Sequence, residues 1–156
     1  MPSTEHELRI LQEIERNPAT TQATLAAQLG VAVGSVNFVV KRLVSKGYVR
    51  VKRLERRRLK YIITPQGLAL RSKLTVDSVQ YSMRLYRETR LRAKELLNTL
   101  QQAGYAQVAI CGESELAEVV ALTCLELKIE VMPERADLPV ITIVETQLTL
   151  GWPDNP

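Results

Sequence analysis

Residues 31–46, VAVGSVNFVVKRLVSK, carry an apolar stripe at helical spacing: Val36, Val40 and Leu43 recur at i, i+4 and i+7, and Val39 and Val44 widen it. This predicts a helix with one buried face. The opposite face holds Ser35, Asn37, Phe38, Lys41, Arg42 and Ser45: short hydrogen-bonding groups, one ring and two cations on successive turns. A helix that reads DNA needs that division. Small or amide side chains near its N-terminus can approach base edges in the major groove, and cations further along can meet phosphates. Phe38 stands apart from the stripe, so exposure is expected in preference to a place in the core.

Lys46 and Gly47 give this helix a cationic last turn and a glycine stop. After them Tyr48 to Leu54 and Leu59 to Thr64, rich in β-branched and aromatic residues, predict two short strands. Arg50, Lys52, Arg53, Arg56, Arg57, Arg58 and Lys60 then lie on or beside one hairpin, offset only by Glu55. Taken alone, such a run reads equally well as a solvated face. Next to a candidate recognition helix it is better read as a wing, whose arginines can enter a minor groove or bind flanking phosphates.

On the N-terminal side, Thr4 with Glu7 three residues on predicts a capping box. Leu8, Leu11 and Ile14 stripe a first helix to about Arg16, ended by Asn17 and Pro18. Thr20 or Thr21 caps a second helix that turns Leu25, Ala26 and Leu29 inward, with Gly30 as the turn. The amides at the start of that helix and the Thr21 hydroxyl suit a DNA phosphate, a role compatible with capping.

With these residues in view, Leu8 to Arg71 resembles a winged helix-turn-helix of the MarR type. TQATLAAQLGVAVGSVNFVVKRLVSKGYV supplies the second helix, the glycine turn and the recognition helix, and YIITPQG resembles the second wing strand leading into the next helix. The segment LTVDSVQYSMRLYRETRLRAKELL is similar to the long helix of the branch found with exopolysaccharide gene clusters. The resemblance implies base-proximal roles for Val33, Ser35, Asn37, Phe38 and Lys41. It also implies backbone-contacting roles for Thr21, Gln22, Arg42 and the wing arginines Arg53, Arg56, Arg57 and Arg58. Val33 and Phe38 depart from the polar or basic residues usual in relatives.

Thr64, Pro65 and Gly67 open a further helix, with proline at its first position. Its pattern stays helical, without Gly or Pro, to about Leu100, too long for one small domain to bury. Twofold pairing with another copy would cover it and present two recognition helices to successive major grooves; a bent helix folding back is the alternative. A homodimer is the expectation, mainly from the resemblance.

Beyond Gly104 and Tyr105 the order is strand (Gln107 to Cys111), glycine turn, helix (about Glu115 to Leu127) and strand (Ile129 to Met132), a βαβ unit in outline. Gly112, Ser114 and Ala117 sit where a dinucleotide fingerprint has its small residues, and Glu134 near its ribose-binding acid. The motif is degenerate. Glu113 and Glu115 flank the helix N-terminus and would repel a pyrophosphate, so no cofactor is expected. The acidic lip of Gly112, Glu113, Ser114 and Glu115 is the candidate effector site, suited to a neutral, hydroxyl-rich or cationic small molecule; a lobe that only assembles a dimer is the alternative. Seven residues between Met132 and Val140 are too few for a usual parallel crossover, so Val140 to Val144 is expected to pair antiparallel or as an edge, followed by the tail TQLTLGWPDNP, which ends with polar and turn residues.

The expected architecture is therefore α+β: a winged helix-turn-helix (residues 1–75), a long linking or dimerisation helix (76–103) and a small Rossmann-like α/β lobe (104–156). Charge follows the same division. Residues 1–75 hold 14 Lys+Arg against 5 Asp+Glu, residues 76–103 hold 5 against 3, and residues 104–156 hold 2 against 9. The first part is built to approach a polyanion and the last is not. Cys111 and Cys124 fall in apolar segments and are expected as buried, reduced thiols, without companion histidines for a metal site. There is no paired acid and base, nucleophile motif or intact phosphate loop, so no enzyme is expected. The start MPSTEHELRI has no secretory pattern and no run is long enough to span a bilayer, so a cytoplasmic protein without a membrane partner is expected. The expected partners are double-stranded DNA, a second copy and a small-molecule effector. A winged-helix adaptor binding protein in place of DNA is the alternative.

Overall fold

The computed structural model describes residues 2–54 and 58–153. The chain divides into two compact units, Met1–Gln80 and Tyr81–Pro156.

In the first unit, α1 (Pro2–Arg16) leads to α2 (Gln22–Leu29) and α3 (Val33–Ser45). Because α1 begins at Pro2, Thr4 lies inside it and the expected Thr4–Glu7 capping box is not formed. A proline costs nothing in a first turn, where its missing N–H would have no helical partner. Thr21, not Thr20, caps α2: its hydroxyl accepts from the Thr24 amide at 3.1 Å. Gly30, left-handed at φ 66°, then closes α2 by returning its N–H to the last turn. The two helices bend by 115° across residues 30–32, the angle and turn length of a helix-turn-helix.

Leu8, Ile10, Leu11 and Ile14 of α1 pack with Leu25 and Ala26 of α2 and Val36, Val39, Val40 and Leu43 of α3. Val44, expected to widen the buried stripe, is exposed. It lies one step outside the edge that Val40 already occupies, so the core does not reach it. Strands β1 (Val49–Arg53) and β2 (Leu59–Ile63) pair antiparallel, with Val49 opposite Ile63 and Arg53 opposite Leu59. Tyr61 is buried and donates its amide to the Pro18 carbonyl, which ties the hairpin to the α1–α2 connection.

The run Thr64–Gly67 fastens this hairpin to α4 (Pro65–Gln102). The Thr64 hydroxyl donates to the Gly47 carbonyl at 2.7 Å and accepts from the Gly67 amide at 3.1 Å, so one side chain caps α4 and satisfies the end of α3. A side chain at Gly67 would collide with the Tyr48 carbonyl oxygen. Leu74, early in α4, completes the core of the first unit.

The second unit holds the rest of α4, then β3 (Gln107–Cys111), α5 (Glu115–Glu126), β4 (Glu130–Met132), β5 (Val140–Val144) and β6 (Gln147–Gly151). The sheet order is β4-β3-β5-β6. As expected, β3 and β4 are the parallel strands of a βαβ unit. The expectation for β5 holds on one side only: it pairs antiparallel with β6, but it also runs parallel to β3 and is not an edge. The reason is stagger: β4 ends and β5 begins against the same residue, Ala109. Residues 133–139 therefore cross over β3 sideways and need not travel back along it, which is what makes a parallel return long. The tail contributes a further strand, β6, which pairs antiparallel with β5 after a two-residue turn.

Ala93, Leu97 and Leu100 of α4 share a core with Val120 and Cys124 of α5 and with Val108, Ile141, Ile143 and Leu148 of the sheet. Cys124 is buried there, but Cys111 is exposed, against expectation. Alternation along β3 puts Val108 and Ile110 toward that core and Ala109 and Cys111 on the other face, where Ala109 is covered but Cys111, at the end of the strand, is not. Among the described residues no single helix is long and apolar enough to cross a bilayer.

Candidate nucleic-acid interface

The burial of Val36, Val39, Val40 and Leu43 orients α3. Opposite them Gly34, Phe38, Lys41 and Ser45 recur at i, i+4, i+7 and i+11, and all four are exposed. Val33 and Ser35 are also exposed, while Asn37 is half-buried on one flank. Of the residues assigned base-proximal roles, the structure leaves Val33, Ser35, Phe38 and Lys41 open to solvent.

Arg42 is different. Its Nη2 lies 2.6 Å from Glu7 Oε1, and both side chains are mostly buried, at 30% and 17% exposure. The guanidinium also lies 5.7 Å from the centre of the Phe38 ring. Arg42 thus ties α3 to α1 and steadies Phe38 by a cation–π contact, instead of standing free as a phosphate ligand. Its partner lies 35 residues away, so sequence spacing within α3 gave no sign of it.

In the hairpin, Arg50 and Lys52 alternate with Val49 and Val51, and Lys52 is directly opposite Lys60. Arg50, Lys52, Arg53, Arg58 and Lys60 are all exposed. Among the described residues, the ion pairs of this unit are Arg42–Glu7 and Arg71–Glu15, and neither neutralises a wing cation. Arg53, opposite Leu59, falls on the other face of the ribbon from Lys52 and Lys60. Arg56 and Arg57 lie outside the described residues, as does Glu55. Closure of the hairpin is described by Leu54 N–H donating to the Arg58 carbonyl at 2.8 Å.

Thr21 and Gln22 meet the wing across a cleft of about 610 Å³, whose walls include Thr20, Leu54, Arg58 and Tyr61. Gln22 reaches the Tyr61 hydroxyl at 3.5 Å. Sequence reasoning placed Thr21 and Gln22 at the start of the second helix and Arg58 on the hairpin, and the fold brings them to one cleft. It missed Leu54 and Tyr61 as parts of that wall.

The candidate effector residues Gly112, Glu113, Ser114 and Glu115 form one exposed turn at the end of β3. Gly112 has φ 131°, and a Cβ there would come within 3.1 Å of the Ile143 carbonyl. The glycine is therefore required by the approach of this turn to β5, with no bound phosphate needed to explain it. Ser114 is the N-cap of α5, but its side chain makes no cap hydrogen bond.

Residues 3–50 match the family described as winged helix-turn-helix DNA-binding. No curated protein matches the chain at a significant level. Among solved structures, the chain is similar to a MarR transcriptional regulator from Methanosarcina mazei at 21% identity, over 64% of this chain and 76% of that one, with a TM-score of 0.46. It is similar to a transcriptional regulator from Thermotoga maritima at 24% identity, over 64% and 72%, with a TM-score of 0.41. A third similarity is to FabT from Streptococcus pneumoniae, solved in complex with DNA, at 22% identity over 63% and 73%, with a TM-score of 0.42. The N-terminal unit of this chain is a winged helix-turn-helix.

Proposed function

We propose that the protein is a sequence-specific transcriptional regulator that binds duplex DNA as a homodimer. The observation that carries this reading is the pairing, within one unit, of a solvent-facing α3 with an exposed wing whose cations the described carboxylates leave unneutralised. In this reading α3 enters the major groove, Thr21, Gln22 and Arg58 receive the backbone at their shared cleft, and Arg50, Lys52, Arg53, Arg56, Arg57 and Lys60 meet flanking phosphates or the minor groove.

The dimer rests on α4. Val76, Val79, Met83 and Tyr86, spaced three and four residues apart, are all large, apolar and exposed. That spacing is a coiled-coil seam over two heptads, and a second copy of the same helix covers it. The second unit has the sensing role, at the turn Gly112–Glu115. That turn follows the C-terminal end of β3, a strand with parallel neighbours on both sides, and ligands of α/β sheets bind outside the carboxyl ends of their strands. Its carboxylates suit a neutral, hydroxyl-rich or cationic ligand.

The test is fluorescence anisotropy of the full chain with a labelled duplex from upstream of its own gene and a scrambled duplex, over a range of salt. Preference for the first, with log affinity falling steeply with log salt, supports the regulator. Failure to bind either duplex even at low salt overturns it in favour of a protein adaptor. Sedimentation of Met83→Glu beside the unmodified chain tests the seam: a dimer that becomes monomeric supports it, and a monomer in both samples removes it.

A further inference from the structure

Gly34 is anomalous. It lies in the first turn of α3 with no left-handed φ, and a Cβ built there would meet nothing within 4 Å. Neither backbone conformation nor packing inside the chain requires glycine, and glycine weakens a helix relative to alanine. What a missing side chain gives here is close approach by something outside the chain. One turn further, on the same solvent-facing line, stands Phe38, 67% exposed. It too has no role in the core. Its ring is nonetheless steadied: Arg42 lies over it at 5.7 Å, and Glu7 holds Arg42 at 2.6 Å. A gap followed by a fixed apolar ring is thus presented by the helix whose flanking wing is cationic, and that charge selects a polyanion as the occupant.

Duplex DNA offers one apolar group in its major groove, the thymine C5-methyl, which aromatic and aliphatic side chains contact directly. Resting on the DNA-binding reading above, we propose that Phe38 reads thymine methyl groups, and that Gly34 lets the α3 backbone sit close enough to the bases for the ring to reach them. The ring gives apolar contact with the methyl, while Lys41, one turn further on, meets the backbone. Sequence preference then arises partly from burial of a methyl group, without a hydrogen bond, and the selected site carries thymine opposite Phe38.

The experiment selects sites for the full chain from duplexes with a randomised core. Each thymine of the selected site is then replaced by deoxyuridine, which removes only the methyl. The expected result is a loss of about fourfold in affinity for each methyl that Phe38 covers, the worth of one buried methyl-sized group. Phe38→Ala should lose about as much on the thymine duplex and be indifferent to deoxyuridine. Gly34→Ala should bind more weakly while melting no lower than the unmodified chain. Loss of no affinity with deoxyuridine overturns the inference, and so does an undiminished loss in Phe38→Ala. A chain that selects a site but ignores the methyl leaves the DNA-binding reading standing. A chain that enriches no site overturns that reading and this inference together.

Discussion

Lys52 lies directly opposite Lys60 in the wing ladder, a pairing of like charges that no described carboxylate relieves. Directly opposed like charges destabilise a strand pair by a few tenths of a kcal/mol, up to about 1 kcal/mol. A hairpin shaped only by its own stability would avoid this. Lys52→Gln is expected to leave the melting temperature unchanged or slightly higher while weakening DNA binding. The slope of log affinity against log salt should become shallower by about 1, one phosphate contact fewer. An unchanged slope would remove Lys52 from the interface.

Gly34 and Gly67 should respond oppositely to alanine. Gly34→Ala adds a methyl to open space in a helix and is expected to stabilise the first unit by about 0.5–1 kcal/mol in urea unfolding.

Gly67→Ala drives a methyl into the Tyr48 carbonyl, a backbone atom that cannot step aside cheaply. A loss of at least about 2 kcal/mol is expected, at the severe end for a single substitution. Thr64→Ala removes the cap and leaves the Gly67 amide and Gly47 carbonyl without that hydroxyl, at a cost of about 1–2 kcal/mol. Urea unfolding of the full chain measures all three variants.

The two thiols should separate in a titration with a disulfide reagent. Burial in the second core pushes the Cys124 thiol up to about 11, so at neutral pH it is neither charged nor accessible. Cys111 is exposed. One thiol should react promptly in the folded protein and the second only in denaturant. Two prompt thiols would mean that the core opens readily.

Glu126 accepts from Arg90 at 2.8 Å and lies 3.3 Å from Lys94, and these cations hold its carboxyl below the usual carboxylate range. A depressed folded-state value means that the contribution is present above the unfolded pKa of about 4.3 and is lost as pH falls through the folded value. Glu126→Gln should therefore melt lower than the unmodified chain at pH 7, with the difference closing in acid. The groups are solvated, so the effect is small and shrinks in high salt.

The winged helix-turn-helix was legible because its signals are local. Val36, Val40 and Leu43 carry the helical period within one element, and Gly30, Gly47 and Pro65 each end or begin one. The features not legible depend on contacts distant in sequence. Nothing near Arg42 announces Glu7, and nothing in PERADLP announces that β5 starts level with the end of β4. A rule for parallel returns assumes strands side by side in register, and the stagger at Ala109 removes that premise. Val44 and Cys111 were misplaced for a related reason: an apolar residue was assigned to the core by type, whereas its angular position along the element faces it outward. For the candidate interface, sequence alone found the exposed face of α3 and the basic wing, but not the cleft that joins Thr21 to Arg58.

The central position of β3 also sets an order of events during synthesis. It is made before every strand that flanks it, and each of its edges waits for a different later one: β4 for the first, β5 for the second. Until Val140 to Val144 is available, an apolar strand with a bare edge stands in the nascent lobe, a form prone to pair with a neighbouring chain. Chains interrupted between Met132 and Val140 should accordingly precipitate, whereas interruption before Gln107 leaves no such edge to protect.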